Sequence, residues 1–379
     1  MSEEQFNLPM VDNHQSDSCC TGEEAALSYG NAAEANWVTG QIETAVGPVY
    51  CIATTLKRRD MLGSIKARWG VGRMSYTVPP GLYAVGNPDQ SSPVLVSANY
   101  KLSFDSLRRE LSGLNLWILV LDTKGINVWC AAGKGTFSTE EVVRMVNAAR
   151  LPEMASKKTL IIPQLSAPGV SAFEVKRRCG FKVIFGPVRA ADIPAFLKAG
   201  NRADPAMRRT HFNLLDRLIL TPVELTALAK PLAAFILFLF LLNLVSVLFA
   251  GNAIQTASLV SQTLSDLAPF LAAMLIGAVF VPTLLPYIPG RALSWKGLVL
   301  GLIWAATYSR LLGSEAGLLQ TASYFLIIPV ITAFLGMNFT GATTYTSLSG
   351  VVKEMKVALP LIVAAAGLGL IALVAAYFI

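Results

Sequence analysis

Beyond Lys230 the sequence is built of long apolar runs, and no other feature constrains its fold so tightly. Five segments, roughly 231–250, 267–288, 293–309, 318–335 and 357–378, approach the length that crosses a hydrocarbon core of about 30 Å. Burying five such helices in a soluble bundle would take a very large core, so an all-helical transmembrane domain of about five spans is expected, set in a lipid bilayer. The third segment is the weakest, being short and interrupted by Gly301. Charged residues gather before Lys230, which marks the first part of the chain as soluble even though 53% of all residues are hydrophobic.

Basic residues set the expected orientation. Arg208, Arg209, Arg217 and Lys230 precede the first span, Arg291 and Lys296 lie between the second and third, and Lys353 and Lys356 lie between the fourth and fifth. Residues 251–266 carry none, and Arg310 stands alone between the third and fourth. A multi-pass protein of the cytoplasmic membrane is expected, with its soluble domain cytoplasmic and its C-terminus external. The sequence opens with neither a basic n-region nor an apolar h-region, so no signal peptide is expected. Juxtamembrane residues explain much of the formal charge of +7, and no zinc-finger spacing or long basic stripe occurs, so nucleic acid is not an expected partner.

The soluble part divides into three sections. Residues 1–45 read as an acidic, disordered tail, because the first 40 contain no Lys or Arg. Residues 46–205 read as an α/β domain and 206–230 as a basic juxtamembrane linker. Within the domain, 54–69 holds a basic amphipathic segment, and strand candidates at 78–85 and 94–98 flank the turn Gly86-Asn87-Pro88-Asp89. A helix at 104–111 follows. Strands at 116–121, 159–162 and 182–185 then alternate with helices at 138–149, 171–179 and 193–198. This alternation predicts a Rossmann-like, mostly parallel sheet covered on both faces. Ligands of such sheets bind beyond the C-terminal strand ends, which would gather Cys130, the loop 163–169 and Gly186-Pro187. Ser138 and Glu141 predict a capping box at the start of the 138–149 helix.

Five cysteines occur, at 19, 20, 51, 130 and 179, and no CxxC pair is among them. That argues against a built-in iron–sulfur cluster or structural zinc site. Cys19 and Cys20 read as exposed thiols, and Cys179 as structural. Cys130 has a different setting, Gly125-Ile126-Asn127-Val128-Trp129-Cys130-Ala131-Ala132-Gly133-Lys134-Gly135. Ala131 and Ala132 remove bulk beside the thiol, and Lys134 could favour a thiolate or meet an anion. Such a surface suits a rigid planar ligand, or an anion near the Gly-rich turn. Gly133-Lys134-Gly135-Thr136 lacks P-loop spacing, GxGxxG is absent, and His14 and His211 are poorly placed for a Cys–His protease. A small buried cysteine is the plain alternative.

The run Asn127-Val128-Trp129-Cys130-Ala131-Ala132-Gly133-Lys134 closely resembles the cap-helix motif of the mercury-methylating corrinoid proteins. Met337-Asn338-Phe339-Thr340-Gly341 and Thr346-Ser347-Leu348-Ser349-Gly350 resemble the same family between its fourth and fifth spans. The soluble domain also resembles the corrinoid domain of the corrinoid iron–sulfur protein large subunit, in the CO dehydrogenase/acetyl-CoA synthase family, without that subunit's cluster-binding cysteines. The resemblance implies a corrinoid-binding α/β domain that holds cobalamin base-off, with Cys130 as lower axial ligand to cobalt and catalytic residue. It implies a cobalamin-dependent methyltransferase that moves a methyl group from methylcob(III)alamin to inorganic Hg(II), giving methylmercury. It also implies a ferredoxin-like partner with two [4Fe–4S] clusters that returns cobalt to its reduced state, and a methylated folate-dependent methyl donor system in an anaerobe.

On this resemblance Asn127, Val128, Trp129, Ala131, Ala132, Gly133 and Lys134 are expected to shape the corrin-facing surface, although Trp129 also reads as a core anchor. Thr54 and Thr55 are candidates for contacts with the corrin edge. Ser166 and Gly169 are candidates for holding the cofactor tail. A soft, strongly donating thiolate opposite the methyl group suits delivery to an electrophile such as Hg(II). Two rivals stand beside this reading. One is a membrane-anchored corrinoid methyl carrier acting on a folate, pterin or other acceptor in one-carbon metabolism. The other is a non-enzymatic receptor or transporter with a polar path at Asn338, Thr340, Thr343, Thr344 and Thr346.

Overall fold

The computed structural model describes residues 33–251, 253–312, 317–339 and 348–379. His14, Cys19, Cys20 and most of the proposed polar path, Thr340 to Thr346, lie outside the described residues.

Seven strands form one sheet: β1 (Val38–Thr44), β2 (Gly47–Ile52), β3 (Gly81–Val85), β4 (Val94–Ala98), β5 (Leu116–Leu121), β6 (Thr159–Ile162) and β7 (Lys182–Phe185). The helices of this domain are α1 (Arg58–Arg68), α2 (Lys101–Arg108), α3 (Val128–Lys134), α4 (Thr139–Ala148), α5 (Leu151–Met154), α6 (Ala172–Cys179) and α7 (Ile193–Lys198). In space the strands run β1-β2-β3-β5-β4-β6-β7. The last four are mutually parallel, in the doubly wound order of flavodoxin-like sheets. The other three correct the expectation of a Rossmann-like sheet: β3 runs antiparallel to β5, and β1 antiparallel to β2, so the sheet is mixed.

β5 explains the arrangement. All six of its residues are buried, so it takes a central place and pairs on both sides. Consequently β3 and β4 do not pair across the Gly86–Asp89 turn, because β5 lies between them. Side chains of β5 alternate between two cores. Trp117, Leu119 and Leu121 join Val142, Val146 and Val175 beneath α4 and α6. Leu116, Ile118 and Val120 join Phe104, Leu107 and Phe196 beneath α2 and α7.

The sheet starts inside the section expected to be a tail, which corrects the boundary at residue 46. Trp37 is 4% exposed and packs edge-on against Tyr83 and Phe104, with ring centroids 5.5 and 5.1 Å apart. That anchor holds β1 on the sheet.

Four charges are buried where α1 meets α2. Lys101 lies 3.0 Å from Asp60 and 2.6 Å from Asp105. Arg108, which is 0% exposed, lies 2.9 Å from Asp60 and 2.7 Å from Asp105, and donates to the carbonyls of Ala53 and Thr55. Burial works to raise the Asp60 carboxyl, but the Lys57 N–H, Lys101 and Arg108 outweigh it and hold it below the usual range. The stability from Asp60 is therefore present above its ordinary unfolded value, about pH 4, and is lost as pH falls through the lowered folded value.

The rest of the chain is helical: α8 (Leu214–Leu218), α9 (Thr221–Ala227), α10 (Ala229–Phe249), α11 (Thr256–Leu275), α12 (Val281–Thr283), α13 (Leu293–Leu312), α14 (Leu318–Asn338) and α15 (Leu348–Ala376). Among the described residues four stretches are long and apolar enough to cross a membrane: Ala229–Phe249, Thr256–Thr283, Leu318–Asn338 and Gly350–Ala376. The second joins α11 to α12 through a π-helical turn at Ile276–Phe280. These helices are consistent with a multi-pass membrane protein.

The third expected span, α13, is a 20-residue helix that is not among these four stretches, so length and composition support four of the five expected spans. It carries Lys296, whose buried Nζ donates to the Leu285 and Ile288 carbonyls. Gly297 and Gly301 let it lie directly on α14, since a Cβ at either would collide with Thr332. The section 206–230, expected as a linker, is folded onto its neighbours. Buried Arg217 donates to the Thr283 carbonyl at 3.1 Å, Arg189 pairs with Asp216 at 2.9 Å, and Arg208 donates to Gln164 Oε1 at 2.9 Å.

Replacing Arg108 by Met leaves two buried carboxylates sharing one cation, and should cost about 3–5 kcal/mol. Thermal unfolding of purified variants, followed by tryptophan fluorescence, measures the loss. Part of it should disappear under acid conditions that protonate Asp60.

Candidate functional site

The polypeptide leaves β5 at Leu121 and makes a pinned turn before α3. Asn99, beyond the end of β4, organises it: its Oδ1 accepts from Thr123 N at 3.1 Å, Thr123 Oγ1 at 2.8 Å and Gly125 N at 3.0 Å. Thr123 also accepts a place in the fully buried interior, at 0% exposed. Gly125 has φ 71°, and a Cβ there would lie 2.7 Å from the Met74 carbonyl oxygen, so both conformation and space call for glycine.

α3 is short and closed at both ends. Asn127 Oδ1 accepts from the Cys130 N–H at 2.9 Å as N-cap, and Gly135 closes the helix with φ 77°. Ala131 and Ala132 face the core, whereas Gly133 and Lys134 are exposed and Cys130 is half-buried. A Cβ added at Gly133 meets nothing within 4 Å, so the outer face beside Cys130 is open and low. Trp129 is 42% exposed at the rim of a cavity, which removes the core-anchor reading.

The following helix is capped differently from expectation. Ser138 Oγ accepts from Glu141 N at 3.2 Å, as predicted. The Glu141 carboxylate does not return to Ser138: it accepts from Asp122 N at 2.8 Å and pairs with Arg144. Asp122 is the residue after β5, where its N–H leaves the ladder and needs an acceptor. Glu141 thereby ties α4 to the turn that carries α3.

Beneath α3 lies a cavity of about 390 Å³, between the C-terminal ends of β4 and β6. Asn127, Val128 and Trp129 line it together with Pro163 and Leu165 from one loop and Gly186 and Pro187 from another. The segment that carries Cys130 and the two loops therefore meet here, although Cys130 itself is not among the residues that line the cavity. Ser97, Ser103 and Ser106, at the β4–α2 crossing, line it too and were missed. The signal was available, because the end of β4 is a parallel-strand terminus like the others.

Other candidates fall elsewhere. Ser166 is buried and donates to the Pro163 carbonyl at 2.8 Å, so it shapes its loop rather than lining the cavity. Gly169 packs on the inner side of α3, with a would-be Cβ 3.1 Å from Ala132 Cα and in collision with the Phe137 carbonyl oxygen. Thr54 and Thr55 are corrected outright. They line a separate hollow with Val85, Gly86 and Asn115, at the N-terminal end of β5 and so at the opposite end of the sheet from Cys130. The reason is that β2 and β3 run against β5, so their exits face the other way. Cys179 donates its Sγ–H to the Val175 carbonyl at 3.1 Å, and burial pushes the Cys51 thiol up. Among the described residues no three His, Cys, Asp or Glu side chains group to hold a metal ion.

Fold and site together define a doubly wound α/β domain with a capped cavity at its switch point, joined to a helical membrane domain. Residues 52–197 match the family model described as CO dehydrogenase/acetyl-CoA synthase delta subunit. The acetyl-CoA decarbonylase/synthase complex subunit gamma of Methanopyrus kandleri is 31% identical over 123 residues, 32% of this chain and 26% of that protein. The Archaeoglobus fulgidus subunit of the same name is 30% identical over 128 residues, 33% of this chain and 27% of that protein. The corrinoid/iron–sulfur protein large subunit of Moorella thermoacetica is 29% identical over 120 residues, 31% and 26% of the two chains. The chain spans about a quarter of the length of these curated relatives. Its soluble domain is homologous to part of these subunits.

Two glycines of the cap should behave oppositely. Gly169→Ala forces α3 outward and should cost about 1–3 kcal/mol, whereas Gly133→Ala adds a methyl group to open space. Hydrogen exchange of residues 128–134 should accelerate in the first variant and stay unchanged in the second.

Proposed function

We propose that this chain is a membrane-anchored corrinoid protein acting in methyl transfer, with Cys130 as the protein's ligand to cobalt. The observation that carries the reading is the half-buried Cys130 on a capped helix beside the switch-point cavity, in a domain homologous to subunits of corrinoid proteins. Cobalt already held in a macrocycle needs one protein donor, and Cys130 is a single donor on a low, open face. Bound cobalamin supplies a methyl group carried on its metal. The residues present fit such a group: Gly133 leaves the face beside Cys130 clear, and the cavity beneath is of a size for a side arm of the ligand rather than the whole of it.

This chain's own residues then have distinct tasks. Asn127 fixes the first turn of α3 and with it the direction of Cys130. Ala131 and Ala132 seat the helix on the core, and Gly169 permits their close approach. Trp129 walls the cavity mouth, while Lys134 offers a positive charge one turn beyond the thiol. Pro163, Leu165, Gly186 and Pro187 make the wall of the cavity largely apolar.

For the acceptor we propose inorganic Hg(II), on the resemblance of residues 127–134 to the cap helix of mercury-methylating corrinoid proteins. A soft thiolate donor favours release of the methyl group toward a soft electrophile. A second reading, a methyl carrier for a folate, pterin or other acceptor of one-carbon metabolism, is favoured by the relatives, which are named for acetyl-CoA decarbonylase/synthase. The comparisons support this second reading more directly than the first. In either case the reductant is proposed to be a ferredoxin-like protein with two [4Fe–4S] clusters, and the methyl source a methylated folate-dependent system.

The deciding experiment supplies anaerobic membranes with that partner, a methyl-folate source and Hg(II). Methylmercury should form with the parent chain, fall to background with Cys130→Ala, and fall with Cys130→His even where cobalt stays bound. Rapid methylation of a thiol or pterin acceptor with no methylmercury would sink the mercury acceptor and leave the carrier. A cobalt spectrum unchanged in Cys130→Ala would sink the ligand assignment itself.

The proposed topology puts the soluble domain in the cytoplasm and the C-terminus outside, and it depends on α13 crossing. A reporter fused at the C-terminus should give an external signal. A cytoplasmic signal would mean that α13 does not span.

A further inference from the structure

α1 turns an apolar stripe away from the protein. Asp60 and Ala67 are buried on its inner side, while Met61, Leu62, Ile65 and Trp69 are 50, 59, 53 and 45% exposed. Helical spacing puts these four within about 100° of one another. Arg59 and Lys66 border the stripe on one side, Arg68 on the other, and Arg58 stands within it. The chain continues the patch with Val71 and Met74, 60 and 66% exposed. A soluble surface has no use for so many contiguous large apolar groups.

The patch also has a definite neighbour. A Cβ at Gly70, just past Trp69, would lie 3.4 Å from Thr226 Oγ1 and from Val223 Cγ2 of α9. α9 ends at Ala227, and the apolar helix α10 begins at Ala229. The C-terminal end of α1 is therefore held within a turn or two of the point where the chain enters the hydrocarbon. α8 and the residue that caps it, on the same approach, likewise leave Leu215 and Ile219 63 and 42% exposed. What α1 brings to that level is a mix of large apolar side chains and four basic ones, which suits contact with an anionic membrane surface.

We propose that α1 and the turn after it rest on the leaflet that faces the soluble domain, with the apolar stripe in the interface and the bordering basic residues among anionic headgroups. The observations favour lipid over a protein partner, because the patch adjoins the membrane entry and its charge complements anionic lipid. This inference stands apart from the corrinoid reading. It makes the soluble domain a body docked at two points, α10 and α1, rather than one swinging on a tether. Because the Met74 carbonyl abuts Gly125 in the turn before α3, the docked face and the cap are adjacent.

The test uses the full-length chain in lipid nanodiscs with a fluorescent dansylalanine in place of Ile65, or in place of Glu153 as a control. Glu153 lies on α5, which leads into the N-terminal end of β6 on the far side of the sheet. Doxyl-labelled lipid should quench position 65 at least about threefold more than position 153 when the lipid is anionic. Combined Arg58→Glu, Arg59→Glu and Lys66→Glu should reduce quenching at 65 by about half or more, as should zwitterionic lipid. Hydrogen exchange of β5, unchanged in that variant, separates lost docking from lost folding. Equal quenching at 65 and 153 would overturn the proposal. So would an emission at 65 that ignores doxyl lipid yet is shielded by an added ferredoxin-like protein, since the face would then belong to a protein partner.

Discussion

Where β4 and β6 lie side by side, the chain leaves them in opposite directions: from β4 it turns to α2 on one face, and from β6 it turns to α6 on the other. No loop can fill the gap so created, and the cavity occupies it. The third parallel strand, β5, supplies a lid for that gap in the form of α3. Everything that fixes α3 is arranged around this opening. Asn99 grips the turn from the β4 side, Glu141 holds its start from α4, and the loop after β6 supports its inner face. A thiol on this lid is thus presented by a rigid frame, which a catalytic or ligating group needs and a packing residue does not.

Buried charge performs a second kind of positioning. Asp60, Lys101, Asp105 and Arg108 are removed from water, which is costly, and recover that cost only because each carboxylate meets both cations. Apolar residues would pack as well. What the ionic arrangement adds is registry: Arg108 reaches the Ala53 and Thr55 carbonyls, so the exit from β2, α1 and α2 are locked to one another. The outward stripe of α1 is held at a fixed angle as a result.

Much of this was legible in the sequence. β5, β6 and β7 were located to the residue, because each is a short apolar run with no helical alternative. The meeting of the first turn of α3 with the loops after β6 and β7 followed from the parallel order alone, although the cavity is lined by Asn127, Val128 and Trp129 and not by Cys130. The misreadings share a cause, which is that partner choice is not local. β3 and β4 look like a hairpin along the chain, yet the stronger claim of β5 separates them. That reversal of β3 sends Thr54 and Thr55 to the wrong end of the sheet. Glu141 has the spacing of a capping box, but a nearby unpaired N–H of Asp122 captures its carboxylate. In α13 the glycines mark a close helix–helix contact with α14 rather than a weakness in the helix. The tail boundary failed because a single aromatic, Trp37, outweighs the composition around it.

Two arginines join the mouth of the cavity to the membrane anchor. Arg208 binds Gln164, in the loop after β6, and Arg189, beyond β7, binds Asp216 of α8. α8 in turn is fastened to the end of the second apolar stretch through Arg217 and the Thr283 carbonyl. Apolar helices tilt to match the thickness of the bilayer around them. In this molecule such a tilt is not absorbed by a slack connection. A change of tilt would load these exposed polar contacts first, and they in turn hold the loops that shape the cavity.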